Sequence, residues 1–326
     1  MTSPRRVLPV LGIAAASALT LAGCAGGETT DAAGTDDAVT VVASTNVYGD
    51  IAEQIAGGLV EVTSIIESAA MDPHEFEASA ADQLTVSNAD LIIENGGGYD
   101  SFMDSMIEST GTEAHVITAA EFSHDWPGSE SEGEHDHADE ESEDDHDHDH
   151  IEGFNEHVWY DPHTIEHVAE AIAEELGELQ PEDADTFVAN AEAFVAEIAG
   201  LEEDLDAIAA AHGGEGVFAT EPVGFYLLEA AGLTNLTPDA FSEAVEEGQD
   251  VPPATLLEAL TILQSGDVAL VVANSQTGGA ETNQVIDEAD AEDIPVVEFT
   301  ETLPDGQTYI SWMQTNVDAV SAALGE

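Results

Sequence analysis

Basic side chains are all but missing from this chain. Its 326 residues include 2 Lys+Arg against 70 Asp+Glu, a formal net charge of −68. Both basic residues, Arg5 and Arg6, sit at the extreme N-terminus, and no acid occurs before residue 28. Such a surface repels nucleic-acid phosphates and anionic headgroups, which excludes binding to either through it. It attracts cations and basic partners instead. Cysteine is nearly absent too, Cys24 being the single one. That rules out an intramolecular disulfide and any multi-cysteine zinc site. No HExxH, GxSxG, P-loop or GxGxxG pattern occurs, so the signatures of several enzyme classes are missing. What is present is apolar: 43% hydrophobic content supports a real core, and the length suits one large domain or two ordinary ones.

The N-terminus accounts for the cysteine. A short basic start, Met1 to Arg6, precedes a nearly apolar run from Val7 to Leu21 and then Leu21-Ala22-Gly23-Cys24. That order describes an export signal over residues 1–23, and the apolar run is short for a membrane span. The tetrapeptide resembles a bacterial lipobox, which implies cleavage before Cys24 and lipid on its sulfur. Loss of both arginines moves the formal charge from −68 to −70. Ion pairs then depend on His or the N-terminus, and repulsion must be met by salt, protons or bound cations.

Residues 24–38 are small and polar and read as a tether. Beyond them, strand-like runs at 39–44, 60–66, 89–94 and 115–118 alternate with helical segments, the pattern of a parallel sheet with helices on both faces. The segment 124–150 breaks the rhythm; it contains HDHADEESEDDHDHDH and no apolar periodicity, so it reads as a low-complexity loop. Pro181 then opens a long helix. Phe187, Ala191, Phe194, Ile198, Leu201, Leu205 and Ile208 recur at spacings of 4 and 3 along it, one continuous apolar stripe. The alternation restarts after residue 213. We therefore expect an α/β protein with two doubly wound parallel-sheet lobes, 39–179 and 214–326, joined by a linking helix at 180–213.

Four clusters could carry chemistry. In Met71-Asp72-Pro73-His74-Glu75, the proline presents His74 from a turn, and flanking acids can orient an imidazole. In His157-Val158-Trp159-Tyr160-Asp161-Pro162, an extended backbone would place His157, Trp159 and Asp161 on one face. His163 and His167, at the start of the next helix, suit a surface better. Glu221 and Glu301 each follow a strand, where open α/β sheets bind ligands. In a chain this acidic, either also suits a helix start or a turn.

The chain resembles the solute-binding lipoproteins of bacterial zinc and manganese ABC importers. The resemblance is carried in order by DPHEFE (72–77), SNADLIIENGGGYD (87–100), HVWYDP (157–162), ATEPVGFYLLEAAGL (219–233), VVANSQTGG (271–279) and TETLPDGQTYISWM (300–313). It implies two lobes on a rigid backbone helix with the metal between them, and a lipid-anchored monomer on the extracytoplasmic face delivering to a permease and its ATPase. It also implies His74, His157, Glu221 and Glu301 as ligands, with Asn274, Gln276 and Asp305 as rivals of Glu301. His135, His137, His146, His148 and His150 form an auxiliary metal loop of the kind common in zinc importers. Two imidazoles and two carboxylates suit a borderline divalent ion. The loop points to zinc and Glu221 to manganese; zinc is the first expectation. The rival readings are a surface metal store or adhesin relying on the loop, and a metallohydrolase, which would need a coordination position left open for water.

Overall fold

The computed structural model describes residues 38–71, 73–74, 76–127, 151 and 153–325. The first lobe runs β1 (Thr40–Thr45), α1 (Asn46–Ala56), β2 (Glu61–Ile66), α2 (Ala80–Ser87), β3 (Leu91–Glu94), α3 (Ser101–Thr110) and β4 (His115–Thr118). Its strands are parallel in the order β2-β1-β3-β4. Alternation along them feeds two cores. Val41, Ala43, Leu91 and Ile93 face one side, while Val42 and Ile92 face Phe102, Met103 and Met106 on the other. Burial on both faces is why these strands read as unbroken apolar runs.

Two helices follow, α4 (Pro162–Leu179) and α5 (Ala184–His212). The second lobe then runs β5 (Gly216–Ala219), α6 (Phe225–Ala230), β6 (Thr234–Asn235), α7 (Asp239–Glu246), α8 (Pro253–Leu263), β7 (Val268–Asn274), α9 (Ala280–Ala291), β8 (Val296–Phe299) and α10 (Tyr309–Leu324). Its order, β6-β5-β7-β8, repeats the winding of the first sheet, and all its pairs are parallel. In both sheets the connections diverge between the first and third strands, the crevice where such folds bind ligands.

The expected stripe on α5 is buried from Phe187 to Ile208. At about 1.5 Å per residue the helix is about 44 Å long. It packs against α1 and α4 of the first lobe and α6 and α10 of the second, and a single apolar core runs along it through both. Its start differs from expectation. Gln180–Asp183 is a turn closed by Asp183 N–H donating to Gln180 O at 3.1 Å, whereas Pro162 and Pro253 do open helices, α4 and α8. Pro181 ends one helix instead of opening the next, since a ring without an N–H cannot continue α4. The lobes also meet directly. The side chain of Asn46 pairs with both backbone groups of Leu303, at 2.8 and 3.0 Å, and Tyr309 N–H donates to Asp50 Oδ2 at 2.7 Å.

Cys24, the signal segment, the tether up to residue 37, and the loop histidines 135, 137, 146, 148 and 150 lie outside the described residues.

Candidate metal centre

Strand ends deliver most of the site. His74 lies in the segment after β2, Glu221 two residues after β5, Asn274 at the last position of β7 and Glu301 two residues after β8. His157 arrives differently. Residues 158–160 form a single 3-10 turn, so the expected extended face of His157, Trp159 and Asp161 does not exist. The cause is local: Asp161 accepts from His163 N–H at 3.2 Å, capping α4, and the chain must coil tightly to enter that helix.

The turn buries His157 to 1% exposure and settles its ring chemistry. Asn155 Nδ2 donates to Pro222 O at 3.1 Å, which leaves Asn155 Oδ1 facing the imidazole 2.9 Å from Nδ1. An amide oxygen only accepts, so Nδ1 carries the proton and Nε2 presents a lone pair. A carbonyl behind one ring nitrogen is how metal-binding imidazoles are commonly oriented.

His74, His157 and Glu301 each offer one ligand atom, and these lie within 4.8 Å of one another; His74 Nε2 is 4.0 Å from Glu301 Oε2. Glu221 is tied to them by one amide: Asn274 Nδ2 donates to Glu221 Oε2 at 2.8 Å and to Glu301 Oε1 at 2.6 Å. Thr277 Oγ1 also donates to Glu221. Glu221 and Glu301 are 4% and 2% exposed. Of the rivals, Asn274 supports the carboxylates, and Gln276 Oε1 accepts from the backbone of Glu301 and Thr302 at 2.8 and 2.9 Å. Asp305 is exposed and belongs to none of the close His/acid groups among the described residues.

Rings pack around the imidazoles. Tyr99 lies 5.0 Å from His74, and Trp159 5.1 Å from His157, between centroids. Tyr99 follows Gly96, Gly97 and Gly98, all at positive φ. There side chains are strained, and a Cβ on Gly97 would sit 2.8 Å from Phe154. The turn brings the Tyr99 hydroxyl to 3.4 Å from Glu301 Oε2. Beside Glu301, a small opening is lined by Ala69, Ala70, Gln276 and Thr277.

Two carboxylates at the centre escape sequence reasoning. Glu246, closing α7, lies with Oε1 3.7 Å from His157 Nε2. Glu156 and Glu246 form a second close group with His74. Burial, then the charges of Glu156, Glu221 and Glu301, push the Glu246 carboxyl up to about 10. Nothing marks Glu246 within EAVEEGQD, and α7 itself was not foreseen. Glu156 had a weak signal in its place beside His157. Two other His/Glu groups, His115 with Glu175 and Glu178, and His163 with Glu166 and Glu202, are more open to solvent.

Imidazoles and carboxylates from both lobes, packed together with no Lys or Arg in the chain beyond residue 6, could hold a cation. Among curated proteins, the chain is 30% identical over 186 residues to the manganese-binding lipoprotein MntA of Halalkalibacterium halodurans, covering 57% of this chain and 54% of that one. The chain thus spans about half the length of that relative. It is 24% identical to MntA of Bacillus subtilis over 82% of this chain and 81% of the relative. It is 25% identical to the zinc-binding lipoprotein AdcA of Streptococcus pneumoniae over 83% of this chain and 53% of the relative. The periplasmic zinc-binding protein TroA of Treponema pallidum shares the fold, with a TM-score of 0.70 at 19% identity over 89% of this chain and 100% of that one. The profile of the zinc-uptake complex component A, periplasmic, matches residues 41–323. This chain therefore belongs to that family of metal-binding solute-binding proteins, which are transport components and not enzymes.

Proposed function

We propose that this chain is an extracytoplasmic lipoprotein that captures one divalent transition-metal ion between its lobes and delivers it to an ABC permease and its ATPase. The observation that carries the reading is the convergence of His74 and His157, from the first lobe, with Glu301, from the second, in one buried group. Glu221 joins them through Asn274. Each residue is a proposed ligand. Two nitrogen and two carboxylate donors suit zinc, and manganese next. Relatives are named for manganese, zinc and iron, which supports the class of cargo. The anchor is the lipid on Cys24, in keeping with relatives named as lipoproteins; no described helix is long and apolar enough to cross a membrane. The protein acts as a monomer, and the His-rich loop gathers ions weakly at low supply.

Equilibrium titration with zinc and manganese tests this, on the soluble chain from residue 25 and on the same chain lacking residues 128–150. One tight ion should bind both proteins, with several weaker ions lost on deletion. Weak binding alone, or loss of the tight ion with the loop, sinks the reading in favour of a surface metal store.

A further inference from the structure

We propose that Glu246 is a further ligand of the cargo ion and tilts the site toward ions that take five or six ligands, Mn²⁺ or Fe²⁺, relative to zinc. The proposal rests on the reading of the cleft as a metal site.

Its basis is geometric. Glu246 Oε1 is buried and makes no hydrogen bond among the described residues. It lies 3.7 Å from His157 Nε2, the ring nitrogen other than the one that faces Asn155 Oδ1. Two atoms bound about 2.1 Å from one ion are about 3.0 Å apart at right angles, about 3.4 Å at the tetrahedral angle and at most about 4.2 Å when opposed. The His157–Glu246 separation of 3.7 Å and the His74–Glu301 separation of 4.0 Å both fall inside that span. A Glu246 oxygen also lies within 4.8 Å of a His74 nitrogen. Its carboxylate thus lies within reach of an ion at His157, with His74 close by.

Charge points the same way. A buried carboxylate is ordinarily offset by Arg, Lys or several backbone amides. This chain has no Lys or Arg beyond residue 6, and the acids that act most strongly on Glu246 are Glu156, Glu221 and Glu301. A cation between them and the imidazoles offsets all of these charges at once. With Glu246 the set becomes two nitrogens and three carboxylates. That exceeds the four ligands of a closed zinc site and matches the oxygen-rich, higher-coordinate preference of manganese.

Competition titration with Mn²⁺ and Zn²⁺ on the wild-type chain and on Glu246→Gln, Glu246→Ala and Glu247→Gln tests the proposal. Glu247 is exposed and serves as the control. In both Glu246 variants the manganese-to-zinc affinity ratio should fall about tenfold, with Glu247→Gln unchanged. An unchanged ratio in folded Glu246 variants overturns the proposal and leaves the cleft a metal site. Failure of the wild type to bind either ion tightly overturns both readings. Should the variants fail to fold, a crystal structure of the manganese-loaded wild type, with the ion placed by anomalous scattering, decides. A Glu246 oxygen within about 2.5 Å of the ion is expected, and one beyond about 3.5 Å overturns the proposal.

Discussion

A single amide group, Asn274 Nδ2, donates to Glu221 at 2.8 Å and to Glu301 at 2.6 Å. One neutral donor therefore holds two like-charged, buried carboxylates at a fixed separation. Asn274 Oδ1 is engaged as well, accepting from Gln276 N–H at 3.0 Å, so the amide cannot flip without losing contacts on both sides. Gln276 in turn grips the backbone of Glu301 and Thr302. The second lobe's share of the site is thus a network anchored on the end of β7.

That network supplies the first prediction. Asn274→Ala should weaken metal binding by about 10- to 100-fold, the usual cost of losing an outer-shell partner, because the carboxylates are then free to splay apart. Asn274→Asp should be worse, since it adds charge of the wrong kind where a donor stood. Titration of both variants with zinc checks this. Unaltered affinity in a folded Asn274→Ala protein would show that the amide does not position the site.

The lobes and the long helix were legible because burial writes itself into periodicity. Val268 to Ala273 and the stripe from Phe187 to Ile208 can be read from spacing alone. The start of α5 was not, since Pro181 suits a helix start and a helix stop equally well. His74 and His157 stood out because histidine is scarce among the packed segments. Glu246 did not, because 70 acids leave any single one without contrast. What sets it apart is position: α7 brings it to the cleft, beside a residue 89 positions earlier in the chain. Short elements such as α7, held by packing more than by their own pattern, carry little local signal.

The metal-free protein should lose stability as pH rises. Burial above all pushes the Glu94 carboxyl up to about 8 and that of Asp100 up to about 6. Both have folded values above their unfolded ones. Their contribution is therefore complete in acid, below the unfolded carboxylate values, and is lost as pH climbs through about 6 and then about 8. Glu94 Oε2 is buried and has no hydrogen-bond partner among the described residues, and the one bond its Oε1 accepts, from Thr118 Oγ1 at 2.9 Å, offsets only part of the cost of burying its charge. Melting in the presence of a chelator should fall by roughly 5 °C or more between pH 5 and pH 8.5. Glu94→Gln should flatten the upper part of that decline. The metal-loaded protein should gain on the metal-free one over the same range, because bound carboxylates and imidazoles must shed their protons. A metal-free melting temperature that rises with pH would contradict the assignment.

Glu221 should bias metal choice independently of Glu246. It enters from β5 and takes hydrogen bonds from Asn274 and Thr277, and the Asn274 amide that holds it also holds Glu301. A carboxylate is a harder donor than imidazole and adds negative charge, and both features favour oxygen-seeking ions such as Mn²⁺ over a site richer in nitrogen. Zinc remains the tighter binder in absolute terms by the ordinary divalent series, so the quantity to read is a ratio. Glu221→His should raise the zinc-to-manganese affinity ratio by about tenfold. An imidazole that binds the ion through one nitrogen carries its proton on the other and cannot accept from Asn274, whose amide keeps its bond to Glu301. The effect should add to that of Glu246→Gln if each carboxylate contacts the ion separately, and should be smaller in the double variant if one replaces the other. Competition titrations of the two single variants and the double variant, each with both metals, separate these cases. A ratio unmoved in Glu221→His, with both affinities intact, would show that Glu221 never touches the ion.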